Sequence, residues 1–334
     1  MEVYRWISKP IKINETWVKN RIVVPPMADF GMTGKDGLVN NRHIKRYGEY
    51  AKGGAGLIII EACAVTKMPE SRNTIGLYAD VCLPGLEKLA KAATQNNAIS
   101  LVQIMETGLC TMPENSIEEI NRQTFLQYKE DFISAAIRCQ KAGFNGVELH
   151  AAHGMYLNEI LETSTRKDEY GGNFENRVRI LVELIHDIKA NCGSDFIVAV
   201  RFGNPDYQEL LQTAQAIEQA GADLLDVSTG TRNYVNMPSN FIFDSKIYAA
   251  SLVKQNTNLP VIAVGNILLG EQAENVLVQN FSDMVAVGRG HLCDPAWTNK
   301  VLAGEQPILC RNCLPCVWYK DGRKCPAVQK GECI

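Results

Sequence analysis

Eight short apolar runs alternate with eight stretches of helix-like composition, and no other feature restricts the fold of this chain so tightly. The runs span residues 21–27, 56–62, 99–105, 146–150, 196–202, 223–228, 260–265 and 283–288, and most end on small or polar residues. Between them, residues 45–52, 84–95, 125–142, 174–191, 209–220, 245–255, 271–279 and 295–303 have helical spacing or composition. Gly54, Gly143 and Gly221 each sit where a helix must stop before the next strand. Eight strand–helix units in series predict an α/β chain closed as a (β/α)8 barrel. An open doubly wound sheet is the structural alternative. It would carry a glycine-rich dinucleotide loop after its first strand, whereas Ala28-Asp-Phe-Gly31 follows here.

The bulk properties agree. A chain of 334 residues, 46% hydrophobic and 21% charged, can bury a sizeable core. Its net charge of −3 and the lack of basic runs interleaved with aromatics argue against a nucleic-acid partner. Apolar stretches such as Leu57-Ile-Ile-Ile60 are strand-sized, so no membrane span is expected. The start, Met1 to Trp6, lacks a basic-then-apolar signal pattern. Of 11 cysteines, seven are scattered and four crowd into residues 310–325. That odd, uneven distribution points to a reducing, cytoplasmic setting and a thiolate metal site, not a secreted disulfide framework. The expected division is a barrel over residues 1–305 and a cysteine-rich tail over 306–334.

In such a barrel, chemistry gathers at the carboxyl ends of the strands. Those ends read Pro26-Met27-Ala28, Ala62-Cys63, Gln103 to Glu106, His150 with His153, Arg201, Ser228-Thr-Gly230, Gly265-Asn266 and Gly288-Arg289. Two imidazoles at the end of a buried strand are costly to place unless they bind something, although local backbone can satisfy one alone. Glycine-opened turns after the last two strands suit a phosphate, with Arg289 as a bidentate partner; a surface turn is the bland alternative. A phosphate anchor, the Gln103 amide and the Arg201 cation together suit flavin mononucleotide (FMN). For Arg201, a strand-end salt bridge is the plainer role.

Six segments carry a resemblance: Asn20-Arg-Ile-Val-Val-Pro-Pro-Met27, Gly56-Leu-Ile-Ile-Ile-Glu-Ala62, Val147-Glu-Leu-His-Ala-Ala-His-Gly154, Arg166-Lys-Asp-Glu-Tyr-Gly-Gly172 with Glu175-Asn-Arg177, Val198-Ala-Val-Arg201 and Val287-Gly-Arg289. Together they resemble the old yellow enzyme family of NADH:flavin oxidoreductases from about residue 5 to 305. The cysteine tail is similar to the branch containing 2,4-dienoyl-CoA reductase and trimethylamine dehydrogenase. The resemblance implies FMN held by Pro26, Met27, Ala28, Ala62, Gln103, His150, Arg201, Gly265, Asn266, Gly288 and Arg289. It implies a flavin reduced by NAD(P)H or another donor, then hydride delivery to the β-carbon of an unsaturated carbonyl compound. His150 and His153 would hold the carbonyl oxygen as an oxyanion hole does. Arg166, Asp168, Tyr170 and Arg177 would brace the loop after the fourth strand.

The chain also departs from the family. Met155 replaces the tyrosine that gives the final proton in many relatives, which leaves adjacent Tyr156 or water as donor. Glu106-Thr-Gly-Leu109 replaces a His-x-Gly-Arg segment, Ala28 replaces a hydrogen-bonding residue, Phe30 replaces a tyrosine, and the loop over residues 110–121 is short. In the tail, Cys310, Cys313, Cys316 and Cys325 form a compact four-thiolate pattern. It admits a 4Fe–4S cluster, zinc or a metal-free tail, the relatives having a longer last gap. The chain stops at Ile334, so electrons for a cluster would come from a separate protein or a small donor. A homo-oligomer is allowed. Two other functions stand beside the ene-reductase reading: a flavin- or metabolite-binding protein with little turnover, and an RNA-modifying flavoenzyme of the dihydrouridine synthase kind. The acidic balance disfavours the latter.

Overall fold

The computed structural model describes residues 4–67, 74–106, 117, 120–162, 166–204, 206–229, 237–318 and 320–329. A two-stranded antiparallel hairpin, β1 (Ile11–Ile13) and β2 (Thr16–Val18), comes first. Eight parallel strands follow: β3 (Ile22–Val24), β4 (Leu57–Ala64), β5 (Ile99–Met105), β6 (Gly146–Ala151), β7 (Ile197–Phe202), β8 (Leu224–Val227), β9 (Val261–Val264) and β10 (Met284–Ala286). Each pairs with the next, and β10 closes on β3 through Val285–Ile22 and Ala286–Val23. Closure excludes the open-sheet alternative. Every expected strand is present.

The expected helices also form: α1 (Asn41–Lys52), α2 (Leu83–Ala93), α3 (Arg122–Lys141), α5 (Phe174–Cys192), α6 (Tyr207–Gln219), α7 (Ser245–Gln255), α8 (Gly270–Val278) and α10 (Trp297–Leu302). Asn40, Asn121, Asn173, Asp206 and Asp244 cap five of them by accepting first-turn N–H groups. Gly54, Gly143 and Gly221 do take left-handed φ values of 95°, 94° and 87°, as their helix-stop positions require. Three short helices and the hairpin were not legible: α4 (Tyr156–Glu162), α9 (Gly288–Cys293) and α11 (Pro326–Gln329). Three or four turns of apolar periodicity cannot appear in segments of four to seven residues. No described helix is long and apolar enough to cross a membrane.

Two packed layers follow from strand alternation. Inward residues Val23, Leu57, Ile59, Leu101, Ile197, Leu224, Ile262 and Met284 fill the barrel, and Ile13 and Val18 of the hairpin join them. Outward residues such as Ile58, Val147, Leu149, Val198 and Val200 pack under the helices. A register shift between Ile60 and Cys63 lets β4 change its aim near the mouth. Glu61 thereby turns to α1, where it accepts from Arg46 and supports Asp29, and its burial lifts its carboxyl to about 7.

Candidate active site

The inward faces of β5 to β8 change from apolar to polar as they approach the mouth. Gln103 on β5 donates from Nε2 to Glu148 Oε1 on β6, at 2.8 Å. Arg201 on β7 stands between His150 and Asp226 in the strand register, and its Nε lies 3.2 Å from Asp226 Oδ2. Asp226 and Glu148 are fully buried. Burial raises both carboxyls, with Arg201 opposing, and Glu148 is pushed up to about 8 by burial and the Asp226 charge. Two carboxylates and one guanidinium are therefore held close to neutrality by a proton on Glu148.

Above this layer the chain turns sharply. His153 (φ 64°) and Gly154 (φ 75°) both occupy the left-handed region, which swings the second imidazole back over the first. The His150 and His153 rings meet edge to face, 5.0 Å apart and 86° between planes. His153 Nε2 lies 2.9 Å from Ser228 Oγ at the end of β8, while His150 Nδ1 is buried without a partner among the described residues. Burial first, then the neighbouring His153 and Arg201 charges, holds His150 well below the usual histidine range. Loss of hydration, then Arg201 and Lys246, lowers His153 as well. Both rings are thus neutral at physiological pH, each with one N–H to donate.

Arg201, paired in register with His150, also lines a cleft of about 380 Å³, large enough for part of a small cofactor. Pro26, Met27, Ala28, Arg201, Asn266, Gly288 and Arg289 line it, so seven of the expected flavin contacts come together. A side chain at Gly288 would project to within 3.4 Å of Met27 and 3.5 Å of Pro25, into this cradle. Arg289 is tethered to Asn266 and, at 2.6 Å, to Asn312 of the tail. The remaining expected contacts stand elsewhere. Gln103 and His150 belong to the polar layer, Ala62 is half-buried above the β4 shift, and a Cβ on Gly265 would meet Asp244 at 2.7 Å. His150 Nδ1, without a partner among the described residues, the Arg201 side chain in the cleft wall and the Gly288 cradle fit a flat ring carrying a phosphate.

One expectation needs correction. Tyr156 does not face the mouth: it is 1% exposed and packs in the outer core against Phe125 and Tyr128, its hydroxyl without a partner among the described residues. Helix α4 starts at this residue and carries its side chain outward. The four tail cysteines do not converge, and among the described residues no group of three or more His, Cys, Asp or Glu could hold a metal. Cys310 and Cys325 pack against Cys293 and Ala327, whereas Cys316 lines the flavin cleft. As placed, these thiols form no gathered metal-binding group among the described residues. Cys316 and Trp318 of the tail form part of the cleft wall. Nothing in the sequence marked Trp318, since its place depends on docking across the fold.

The bracing residues stand as expected. Arg166 donates to the carbonyls of Ile117 and Ile120 and pairs with Asp168, Arg177 pairs with Glu209, and Tyr170 donates to Glu183. Glu106 is buried and accepts from Thr66, and Phe30 is 46% exposed. Most of the short loop over residues 110–121 lies outside the described residues.

The sequence matches the profile of the NADH:flavin oxidoreductase / NADH oxidase family over residues 7–120 and 109–306. The chain belongs to this family. It is 34% identical to an NADH oxidase of Thermoanaerobacter brockii, over 91% of this chain and 52% of the relative, so it spans about half that protein's length. Among solved structures it is similar to a 2-naphthoyl-CoA reductase bound to 2-naphthoyl-CoA (TM-score 0.85, 24% identity, 98% of this chain and 58% of that one). It is also similar to an old yellow enzyme homologue of Zymomonas mobilis (TM-score 0.78, 20% identity, 95% and 97%). At those identities the structural likeness shows the (β/α)8 fold that this family member shares.

Proposed function

We propose that this chain is an FMN-dependent oxidoreductase that reduces an alkene conjugated to a carbonyl group, drawing on NAD(P)H or a donor protein. The observation that carries the reading is the pair of neutral imidazoles, His150 and His153, crossed next to Arg201, which itself lines the cleft. Gly288 and Arg289 would hold the phosphate, Pro26 to Ala28 would support the ring, and Arg201 would face its electron-rich edge. Bound flavin would supply two-electron hydride transfer between donor and acceptor.

The protein's own part is electrostatic. His150 and His153 donate to the substrate carbonyl oxygen and stabilise the charge that grows there as hydride adds at the β-carbon. Being uncharged, they do this without surrendering a proton. Arg201 adds a fixed positive charge nearby, and Asp226 keeps that guanidinium in place. Met155 has no proton to give and Tyr156 is turned away, so water at the open edge of His153 protonates the α-carbon. A thioester-activated ring is bound by one structural neighbour, which makes enoyl or aryl thioesters the first substrates to try.

The misplaced tyrosine also favours a second reading, flavin reduction with little alkene turnover. The family match supports either one over RNA modification. The test is an anaerobic titration of FMN-loaded chain. NADH or NADPH should bleach the flavin, and an enoyl thioester or cyclohexenone should restore its colour with one equivalent of reduced product. Bleaching without recovery would select the second reading, and failure of the chain to take up FMN would end both.

A further inference from the structure

The tail residues in the cleft are held by more than proximity. Asp29, 1% exposed, takes the backbone N–H of Gly322 at 3.1 Å and Arg46 Nη2 at 2.8 Å on the same oxygen. The Arg46 guanidinium lies 5.0 Å over the Trp318 ring. Gly322 is buried so closely that a Cβ there would sit 2.7 Å from Asp29 Oδ2 and 3.0 Å from the indole. Gly31 likewise admits the Lys320 carbonyl, which a Cβ would meet at 2.8 Å. Trp318 Nε1 is buried and has no acceptor among the described residues. An indole clamped on one side by a cation and a glycine, and opening on the other into a cleft, is a prepared wall for a flat ligand.

We propose that Trp318 is a cofactor-contacting residue, and that the contact of Asp29 with Gly322 is the latch that holds the tail against bound FMN. This rests on the FMN reading above and extends it: the binding site is completed by a segment outside the barrel. Trp318 supplies ring contact, Arg46 fixes the ring's tilt, and Gly322 allows the close approach. The latch is far from His150 and His153 in role, so it affects cofactor retention and not carbonyl binding.

The experiment uses the full-length apoprotein titrated with FMN, with bound and free flavin separated by equilibrium dialysis. Trp318→Ala is expected to weaken FMN about tenfold, as loss of one aromatic stacking wall does. Trp318→Phe keeps the ring and should stay within about threefold of wild type on the same scale. Gly322→Val pushes the tail off its seat without altering a cleft-lining side chain, and should weaken FMN as much as Trp318→Ala. Combining the two should cost no more than either alone, because both remove one contact. Wild-type affinity in Trp318→Ala, a Phe variant as weak as the Ala variant, or additive losses in the double variant would each overturn the proposal. If the wild-type apoprotein itself takes up no FMN, the cofactor reading fails first, which is a distinct result.

Discussion

The two sides of the barrel mouth are built on different principles. Over β5 to β8 the working groups are side chains sealed in the barrel: Gln103, Glu148, His150, Arg201 and Asp226 are each 7% exposed or less. Over β9, β10 and β3 the cleft is made of glycine backbone, proline and methionine, with a half-exposed Arg289 tied to Asn266 and the tail. The first side fixes charge and hydrogen-bond direction, because burial makes every unpaired polar atom expensive. The second leaves room, and it depends on a docked segment for closure. Under the proposed function, substrate chemistry would fall to the rigid side and cofactor retention to the adaptable one.

That contrast can be broken most directly at the histidines. His150→Ala with His153→Ala should weaken p-hydroxybenzaldehyde binding about a thousandfold while FMN stays bound. An undiminished long-wavelength band on titration with the phenol would place oxyanion binding elsewhere. Next comes the buried ion pair. Asp226→Ala strands Arg201 without its counter-charge and should cost about 3 kcal/mol of stability in urea unfolding of the apoprotein. The matching change across the cleft, Asn312→Ala, removes an exposed hydrogen bond and should cost about 0.5 kcal/mol. Equal costs would mean that the two sides are not differently built.

The smallest expected effect concerns pH. Both imidazoles are held below the ordinary histidine value, so they remain neutral as the pH falls from 7 to 5. Binding of an uncharged carbonyl ligand should therefore change by less than about twofold over that range. A tenfold change would reveal an imidazolium. For stability the sign is opposite to that of a salt-bridged histidine. Below the unfolded value near 6.5 the unfolded chain gains protons that buried His43 and His291, each lowered to about 4, refuse in the native state. Stability therefore falls as the pH drops from about 6.5 toward 4.

Much of this was readable in one dimension. The apolar run at 146–150 became β6, with Glu148 and His150 on its inner face because side chains alternate. Gly288 and Arg289 after the last strand became part of the cleft wall, together with Asn266. Tyr156 was misjudged because adjacency in sequence does not give direction once a helix begins there. For the tail cysteines, the spacing of thiols limits what can meet, not what does meet. Glu61 turned to α1 through a register shift that no run of residues announces.

The sequence alone determined the repeating strand–helix order, the barrel, the histidine pair and the arginines at the strand ends, since these depend on periodicities of two to four residues. Only the tertiary structure decided which of those groups share a cavity, that Glu148 and Asp226 share a buried layer with Arg201, and that Trp318 comes 290 or so positions along the chain to face Met27. Such contacts depend on the free energy of docking distant segments, in which the chain between them takes no part.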